Sequence, residues 1–280
     1  MKKLFALVMI VCMMFSMAAC GGGEDDTLKV ALSPDFAPME FVDSSKSGQE
    51  SYVGFDVTLA QFIADEMGKE LEIVPMSFDA CQVAVETQSV DMAISGFSWT
   101  EDRAEHYNLS DYYYAGDNET EQGIITTKEN AGKWTKASDF SGLKIAAQTA
   151  SLQLDLCNSQ LPEDCEIVEV ADITTAILQL QNGDFDGMAV AVGNGEMIIE
   201  ANPDTIAETG FQFEVDPKYE ANVILLPKGA DELTEEVNAI LQKAYDAGYY
   251  GEWYEDAKEL AKSASAKDVT YDDEGNVVEE

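Results

Sequence analysis

Apolar residues recur along the first third of the chain in two alternating patterns, one typical of strands and the other of helices. Leu28–Leu32 reads as a buried strand, and beyond Asp56 apolar residues follow a helical spacing until Gly68. Glu70–Val74 alternates as strands do, and Asp91–Ile94 is a short apolar run after a second helical stretch. We expect Asp56 to cap the first helix, because its carboxylate can accept the free N–H groups of the first turn. Strands that alternate with helices predict an α/β fold with a mostly parallel sheet.

The middle of the chain repeats this pattern, which predicts a second, similarly wound lobe. The elements predicted there are strands at 144–147, 166–170 and 187–192, a helix from about Ser151, and a helix through Ile173, Ile177 and Leu180. Residues 221–227 then read as a strand that could return to the first lobe, and an amphipathic helix follows it.

The N-terminus predicts an exported lipoprotein. Lys2 and Lys3 precede an apolar run too short to span a bilayer, and small residues lead to Cys20. This resembles a bacterial lipobox, in which the signal at residues 1–19 is removed and the Cys20 thiol is acylated. Residues 20–27 then form a polar, glycine-rich tether. A plain cleaved signal with a coincidental cysteine is the alternative. We therefore expect a lipid-anchored protein on the extracytoplasmic face of the cell membrane.

Charge and cysteine usage exclude several classes of protein. The formal net charge of −38 excludes nucleic acid as a partner, since phosphates require a basic surface. Cys157 and Cys165 could form a disulfide outside the cell or remain buried free thiols. No cysteine or histidine spacing typical of a metal site occurs, and Gly193-Asn-Gly195 lacks the remaining residues of a dinucleotide site. We therefore expect neither a metal nor a cofactor.

Arg103 is the only arginine in a chain with fifteen lysines. A guanidinium is a planar fork of donors that can hold a carboxylate through two parallel hydrogen bonds, whereas an ammonium is a point charge. An exposed helix residue in a lysine-biased chain is the ordinary alternative. The residues around Arg103 favour the carboxylate site.

Four motifs around Arg103 resemble a known family. Gly54-Phe-Asp56, Ser95-Gly-Phe-Ser98, Thr100-Glu-Asp-Arg103 and Leu109-Ser-Asp-Tyr112 occur in the order and spacing seen in the polar amino-acid-binding proteins of bacterial ABC importers. The resemblance covers about residues 28–262. It implies the two-lobe periplasmic-binding-protein-like fold, in which two α/β lobes close on a ligand.

The resemblance also implies a domain organisation with two hinge crossings, near residues 117–122 and 217–222. Residues 28–117 and 222–262 would form a discontinuous first lobe, and residues 118–221 the second. Residues 263–280 would form an acidic C-terminal extension, in which short apolar stretches could pair as a marginal hairpin or stay disordered.

The same resemblance implies a set of ligand-binding residues. Arg103 matches the arginine that binds the ligand carboxylate, and Ser95, Gly96 and Ser98 match the strand-end loop beside it. The remaining matches are two covering aromatic residues, Phe36 and Phe78, and a second-lobe turn at Ser151, Leu152 and Gln153. Phe36 and Phe78 could instead be core residues, and Ser98 and Ser151 could be helix caps.

One position departs from the family. Ala191 stands where the family commonly has an acidic residue that binds the α-ammonium group of the ligand. Three explanations are open: Glu196 supplies the charge, the alignment of this strand is shifted, or the ligand has no α-ammonium. Ser33 stands where binders of cationic amino acids often have aspartate, although Asp35 lies close by.

These observations predict a binding protein and no enzyme. We expect a monomer that captures an amino acid or a related small carboxylate and delivers it to an ABC permease. A dehydratase-like cleft enzyme of the same fold, with Glu196 as its acid, is the alternative, as is a receptor for a keto acid or dicarboxylate.

Overall fold

A computed structural model of the protein describes residues 26–114, 121–219, 221–263, 270–272, 275, 277 and 278. The predicted signal peptide, the acylation site at Cys20 and most of the tether lie outside these residues. The strands are β1 Thr27–Leu32, β2 Asp35–Phe36, β3 Glu40–Val42, β4 Tyr52–Val53, β5 Glu70–Pro75, β6 Met92–Ala93, β7 Asn108–Leu109, β8 Gln122–Thr127, β9 Lys144–Gln148, β10 Glu166–Val170, β11 Gly187–Ala191, β12 Ile206–Gln212, β13 Leu225–Leu226, β14 Thr270–Tyr271 and β15 Val277–Val278. The helices are α1 Phe55–Met67, α2 Phe78–Glu86, α3 Glu101–His106, α4 Leu152–Gln160, α5 Ile173–Asn182, α6 Val192–Ala201, α7 Asp231–Ala247 and α8 Tyr249–Ser263.

Two sheets of the same strand order form the two lobes. In the first, the order is β5-β1-β6-β13-β7, with β1 parallel to β5 and β6 and with β13 antiparallel to β6 and β7. In the second, the order is β10-β9-β11-β8-β12, with β9 parallel to β10 and β11 and with β8 antiparallel to β11 and β12. In each sheet the antiparallel insertion is the strand that the chain enters after leaving the other lobe.

The chain crosses between the sheets twice, from β7 to β8 and from β12 to β13. Residues 115–120 of the first crossing and residue 220 of the second lie outside the described residues. Beside the crossings, Asn222 forms bridges with both Ser98 and Tyr113. Two α/β lobes with two crossings confirm the predicted fold class, and the return of β13 to the first sheet confirms the prediction made for residues 221–227. The exact residues at which the domains begin and end stay a prediction.

Apolar clusters cover both faces of each sheet. Because side chains alternate along a strand, Leu32 packs into one first-lobe cluster and its neighbour Ala31 into the other. In the second lobe, Ile124 and Ile125 divide in the same way. Phe36 packs against a cluster of each lobe and therefore connects the two cores.

The predicted cap at Asp56 is wrong. Helix α1 begins at Phe55, and its N-cap is Gly54. The Asp56 side chain is fully buried and accepts hydrogen bonds from the Gly96 N–H group and the Tyr113 hydroxyl. Its carboxylate therefore serves a tertiary contact with the strand-end loop, which helical spacing along the sequence does not indicate.

The cysteines of the described chain are buried free thiols. Cys81, Cys157 and Cys165 have no disulfide partner, and the last two lie in one core cluster of the second lobe. Burial raises the pKa of the Cys157 thiol to about 12 and that of Cys165 to about 11. Cys157 and Cys165 are therefore buried free thiols in the structure and do not form a disulfide.

The C-terminal extension forms a hairpin in the part that is described. Strands β14 and β15 pair antiparallel, with Thr270 opposite Val278 and Tyr271 opposite Val277. In the turn, the Gly275 carbonyl accepts a hydrogen bond from the Ser77 N–H group, just before α2. The extension thus returns to the first lobe.

Candidate functional site

A polar cleft lies between the lobes, where the parallel strands of both sheets end. The carboxyl ends of β1 and β6 in the first sheet and of β9 and β11 in the second lead into it, as expected for ligand sites of α/β sheets. The lining residues are Asp35, Phe36, Glu40, Phe78, Ser95, Gly96, Ser98 and Arg103 from the first lobe, and Gln148, Leu152, Gln153, Ile173, Met188, Ala189, Val190, Ala191 and Asn194 from the second. Of the predicted site residues, the structure brings all but Ser151 and Glu196 to this cleft.

Arg103 lies at the interface of the two lobes. Its side chain starts on α3, which Thr100 caps by accepting the Arg103 N–H at 3.1 Å. The guanidinium donates from Nη1 to the Ser98 carbonyl at 2.6 Å and from Nη2 to the Ala150 carbonyl of the second lobe at 2.9 Å. A longer contact of 3.5 Å joins Nε to Oε1 of Gln82. The guanidinium therefore touches both lobes, and Ser98 supports it without being a cap.

Burial shapes the electrostatics of Arg103. The residue is 4% exposed, and burial lowers the pKa of its guanidinium to about 10, so it stays charged at neutral pH. The Phe78 and Phe97 rings lie 5.6 and 5.3 Å from its central carbon, within cation–π range. It is the only cation among the residues that line the cleft. An anion that enters the cleft therefore meets one desolvated positive charge.

The aromatic walls of the cleft are held by close packing. The Phe78 ring stacks on Phe97 with centroids 4.6 Å apart. The Phe36 ring lies against Gly96, where a Cβ atom would come within 3.0 Å of it. Gly96 also has a φ of 57°, in the left-handed region that favours glycine. Phe36 and Phe78 thus belong to the core at one face and to the cleft at the other.

The strand-end loop rests on a buried pair of carboxyl groups, Glu40 and Asp56. The Ser95 hydroxyl donates to Glu40 at 2.6 Å, and the Gly96 N–H donates to Asp56 at 2.8 Å. Glu40 Oε2 and Asp56 Oδ1 are buried and receive no donor from the described residues, so a single proton shared between the two carboxyl groups would satisfy both. Burial and the charge of Asp56 raise the pKa of Glu40 well above its usual range, whereas burial raises the pKa of Asp56 only to about 6. We assign the proton to Glu40.

This network predicts different effects for two substitutions of Glu40. Glu40→Gln keeps a donor to Asp56 and an acceptor for Ser95, so stability should change little. Glu40→Ala leaves the Asp56 carboxylate buried without that donor and should cost about 2–4 kcal/mol. Urea denaturation measures both, with Glu50→Ala, at an exposed acid between β3 and β4, as the control. Equal losses for the two Glu40 variants would contradict the shared proton.

Asp35 reaches from the first lobe into the second. Its carboxylate accepts hydrogen bonds from the Ser33 hydroxyl at 2.9 Å, the Ile173 N–H at 2.8 Å and the Gln148 amide at 3.4 Å. Ile173 is the first residue of α5, so the carboxylate lies at a helix N-terminus. Burial nevertheless raises the pKa of Asp35 to about 7. Asp35 thus joins the two lobes at the cleft.

The second-lobe turn is built around a helix N-terminus. Ser151 is the N-cap of α4, where its hydroxyl accepts the Leu154 N–H at 3.1 Å. Ser151 is buried and does not line the cleft, so the cap alternative describes its side chain. Leu152 and Gln153, in the first turn, do line the cleft. The N–H groups of a first turn have no partner within their own helix and favour anions.

The end of β11 carries no acidic side chain. Ala191 is its last residue, 2% exposed, and lines the cleft together with Ala189 and Val190. Glu196 lies exposed on α6 and is not among the lining residues. It therefore does not replace the missing acid. Asn194, between them in sequence, is buried and does face the cleft.

Sequence reasoning missed Glu40, Gln148 and Asn194. Glu40 lies between the apolar residues Met39 and Phe41. An acidic residue in an apolar stretch could have indicated a buried carboxyl group. Gln148 ends a strand and Asn194 opens a helix, and neither position is distinctive without the opposite lobe. Among the described residues, no cluster of His, Cys, Asp and Glu side chains is placed to hold a metal ion. No helix in the described ranges is long and apolar enough to cross a membrane.

Two α/β lobes around a polar cleft with a buried arginine define a two-lobe solute-binding protein. Residues 28–257 match the family described as Bacterial extracellular solute-binding proteins, family 3. The chain belongs to this family, which confirms the resemblance found in the sequence.

Individual relatives agree with this assignment. The arginine-binding extracellular protein ArtP of Bacillus subtilis is 28% identical over 255 residues, which cover 89% of this chain and 94% of that protein. A probable histidine-binding protein of Campylobacter jejuni is 28% identical, over 74% of this chain and 79% of its own. The amino acid ABC transporter substrate-binding protein AbpA of Streptococcus pneumoniae, solved with L-arginine bound, aligns with a TM-score of 0.76 and 31% identity over 84% of this chain and 96% of its own.

Proposed function

We propose that this chain is the lipid-anchored, extracytoplasmic substrate-binding protein of an ABC importer, and that it captures an amino acid or a related small carboxylate. Arg103 carries the proposal, because the only cation among the lining residues is buried where the lobes meet and hydrogen bonds to both. A guanidinium has five N–H donors, and the three contacts described above leave donors for a ligand carboxylate. The similarity to arginine- and histidine-binding proteins supports the same class of ligand.

In this proposal the carboxylate lies between Arg103 and the first turn of α4. The N–H groups of Leu152 and Gln153 are in that turn, and both residues line the cleft opposite Arg103. A ligand that contacts both lobes binds the closed state better than the open one and shifts the population toward it. Exclusion of water then strengthens each polar contact. A membrane permease can recognise the closed form and accept the ligand.

The protein needs no chemistry of its own for this role. In the enzyme alternative, Glu196 would act as the acid, but it is exposed on α6 and is not among the residues that line the cleft. Glu40, which does line it, is engaged with Asp56 and Ser95. The lipid anchor rests on Cys20 and the residues before it. We further propose that the protein acts as a monomer.

A thermal-shift screen tests the proposal directly. Amino acids, keto acids and dicarboxylates are added to the purified mature chain, with agmatine as a control that has cationic groups and no carboxylate. A bound ligand at one hundred times its Kd adds about 2.7 kcal/mol, which corresponds to a Tm increase of about 5–10 °C for a chain of this size. We expect at least one carboxylate to give such a shift and agmatine to give none. A flat response to the whole panel would refute the binding role.

A further inference from the structure

Asn194 presents a buried acceptor that no group of the protein satisfies. The residue is 2% exposed and lines the cleft. Its Nδ2 atom donates to the Ala37 carbonyl of the first lobe at 2.9 Å, which fixes the orientation of the amide. Its Oδ1 atom, the other end of the amide, has no hydrogen-bond partner. Since buried acceptors are nearly always paired, Oδ1 is suited to a donor that a ligand brings.

Asp35 lines the same cleft and has no cation beside it. The groups that donate to its carboxylate are the neutral Ser33 hydroxyl, Gln148 amide and Ile173 N–H. Arg103, the only cation of the lining, interacts instead with the carboxylates of Asp155 and Asp102. The cleft therefore has separate positive and negative ends. A carboxylate bound at Arg103 leaves the negative end without a counter-charge.

From these two observations, and resting on the function proposed above, we infer that the ligand is a zwitterion whose cationic nitrogen binds Asp35 and Oδ1 of Asn194. An ammonium or guanidinium offers several N–H donors, and these two residues offer a charged and a neutral acceptor. The pair takes the place of the acidic residue that is absent at Ala191. Asp35 also contacts the second lobe and Asn194 the first, so a cation held there stabilises the closed arrangement.

Isothermal titration calorimetry with two groups of probes tests the inference at pH 8. The first group is the twenty standard L-amino acids, and the second is succinate, glutarate and 2-oxoglutarate, which lack a cationic group. The wild-type chain should bind at least one amino acid more tightly than any compound of the second group. Asp35→Asn keeps the shape of the side chain and should lower the affinity for that amino acid by about thirty-fold or more. This is in the range of a lost charge-assisted contact. The same variant should bind the cation-free acids no more weakly than the wild type does.

Two further variants make the comparison specific. Asn194→Ala should lower the affinity for the amino acid by about ten-fold, as expected for the loss of one hydrogen-bond acceptor. Asp172→Asn removes another acid close to Asp35 while keeping a good N-cap for α5. Asp172 does not line the cleft, so this control should change the affinity by less than about two-fold.

The pH dependence of binding gives a second readout. The titratable groups near Asp35 are the Asp172 and Glu40 carboxyl groups and the Cys81 thiol. Burial raises the pKa of that thiol well above its usual range, so the thiol stays neutral. The groups that donate to Asp35 are also neutral. With the pKa of Asp35 at about 7, a cationic ligand must displace a proton at lower pH. Affinity should therefore fall by roughly ten- to thirty-fold between pH 8 and pH 5.5, and this fall should disappear in Asp35→Asn.

The outcomes separate the inference from the function on which it rests. Tighter binding of succinate, glutarate or 2-oxoglutarate would overturn the zwitterion assignment and leave the importer role intact. If Asp35→Asn or Asn194→Ala bound the amino acid as tightly as the wild type does, the substituted residue would not contact the ligand. The assignment of the cationic nitrogen to this pair would then be overturned. If none of the probes binds at all, the binding role itself fails, and the inference fails with it.

Discussion

Arg103→Lys is expected to reduce ligand affinity by about a hundred-fold or more, close to 3 kcal/mol, while the chain still folds. Lysine keeps the charge and loses the planar fork that joins the Ser98 and Ala150 carbonyls across the lobes. A single ammonium in this position cannot keep those contacts and also donate two parallel hydrogen bonds to a carboxylate. Calorimetric titration of the tightest ligand from the thermal-shift screen measures the loss.

Two comparisons separate the geometry of Arg103 from its charge. Arg103→Met removes both and should bind no better than Arg103→Lys. Lys133→Met removes an exposed cation of the second lobe and should bind like the wild type. Urea denaturation checks that each variant is folded. If Arg103→Lys bound the ligand with wild-type affinity, the carboxylate would have to bind elsewhere in the cleft.

Arg103 acts within a closed arrangement that is polar at both ends. At one end its guanidinium reaches Ala150 of the second lobe, and at the other Asp35 reaches Ile173. Each contact joins a charged side chain of the first lobe to the backbone of the second beside a helix N-terminus. The contacts that hold the lobes together therefore belong to the same groups that we propose bind the ligand. A ligand can strengthen closure because it exchanges neutral partners of these groups for charged ones.

The lobes could be predicted from the sequence because their signals are local. Apolar spacing marks β1, α1 and β5, and its recurrence marks the second lobe. The lining of the first lobe could also be predicted, through motifs whose residues follow strand ends. Ser95, Gly96 and Arg103 lie within one short stretch, so their proximity is nearly a property of the chain itself.

The remaining part of the site depends on contacts between distant segments. Asp56 had the position of a helix cap, but Gly96 and Tyr113 draw its carboxylate into the interior. Asn194 donates to Ala37 across the cleft, and nothing near it in the sequence indicates that neighbour. The ligand-binding role predicted for Glu196 was wrong for the same reason, because the position of a residue within one turn of α6 decides whether its side chain faces the cleft. Such roles follow from the packing of two lobes and carry no local pattern.

Gly54→Ala should destabilise the protein by about 3 kcal/mol or more, because this position combines a special backbone conformation with a close contact. Gly54 has a φ of 126° and a ψ of −178°, a region that is essentially restricted to glycine. An added Cβ atom would meet the Met39 carbonyl oxygen and also lie 2.9 Å from the Pro38 oxygen. Relief would require a shift of the Pro38–Met39 backbone, which lies between Phe36 and Glu40 of the cleft.

Gly68→Ala, at the other end of α1, is the matched control. Gly68 also has a positive φ, of 68°, but an added Cβ atom there would meet no atom within 4 Å. Its substitution should cost only about 1–2 kcal/mol, the price of a left-handed conformation without a clash. Urea denaturation of both variants measures the difference, which isolates the contact with the Pro38–Met39 backbone. Similar losses would mean that this segment yields easily, whereas a much larger loss at Gly54 would tie the start of α1 rigidly to the wall of the cleft.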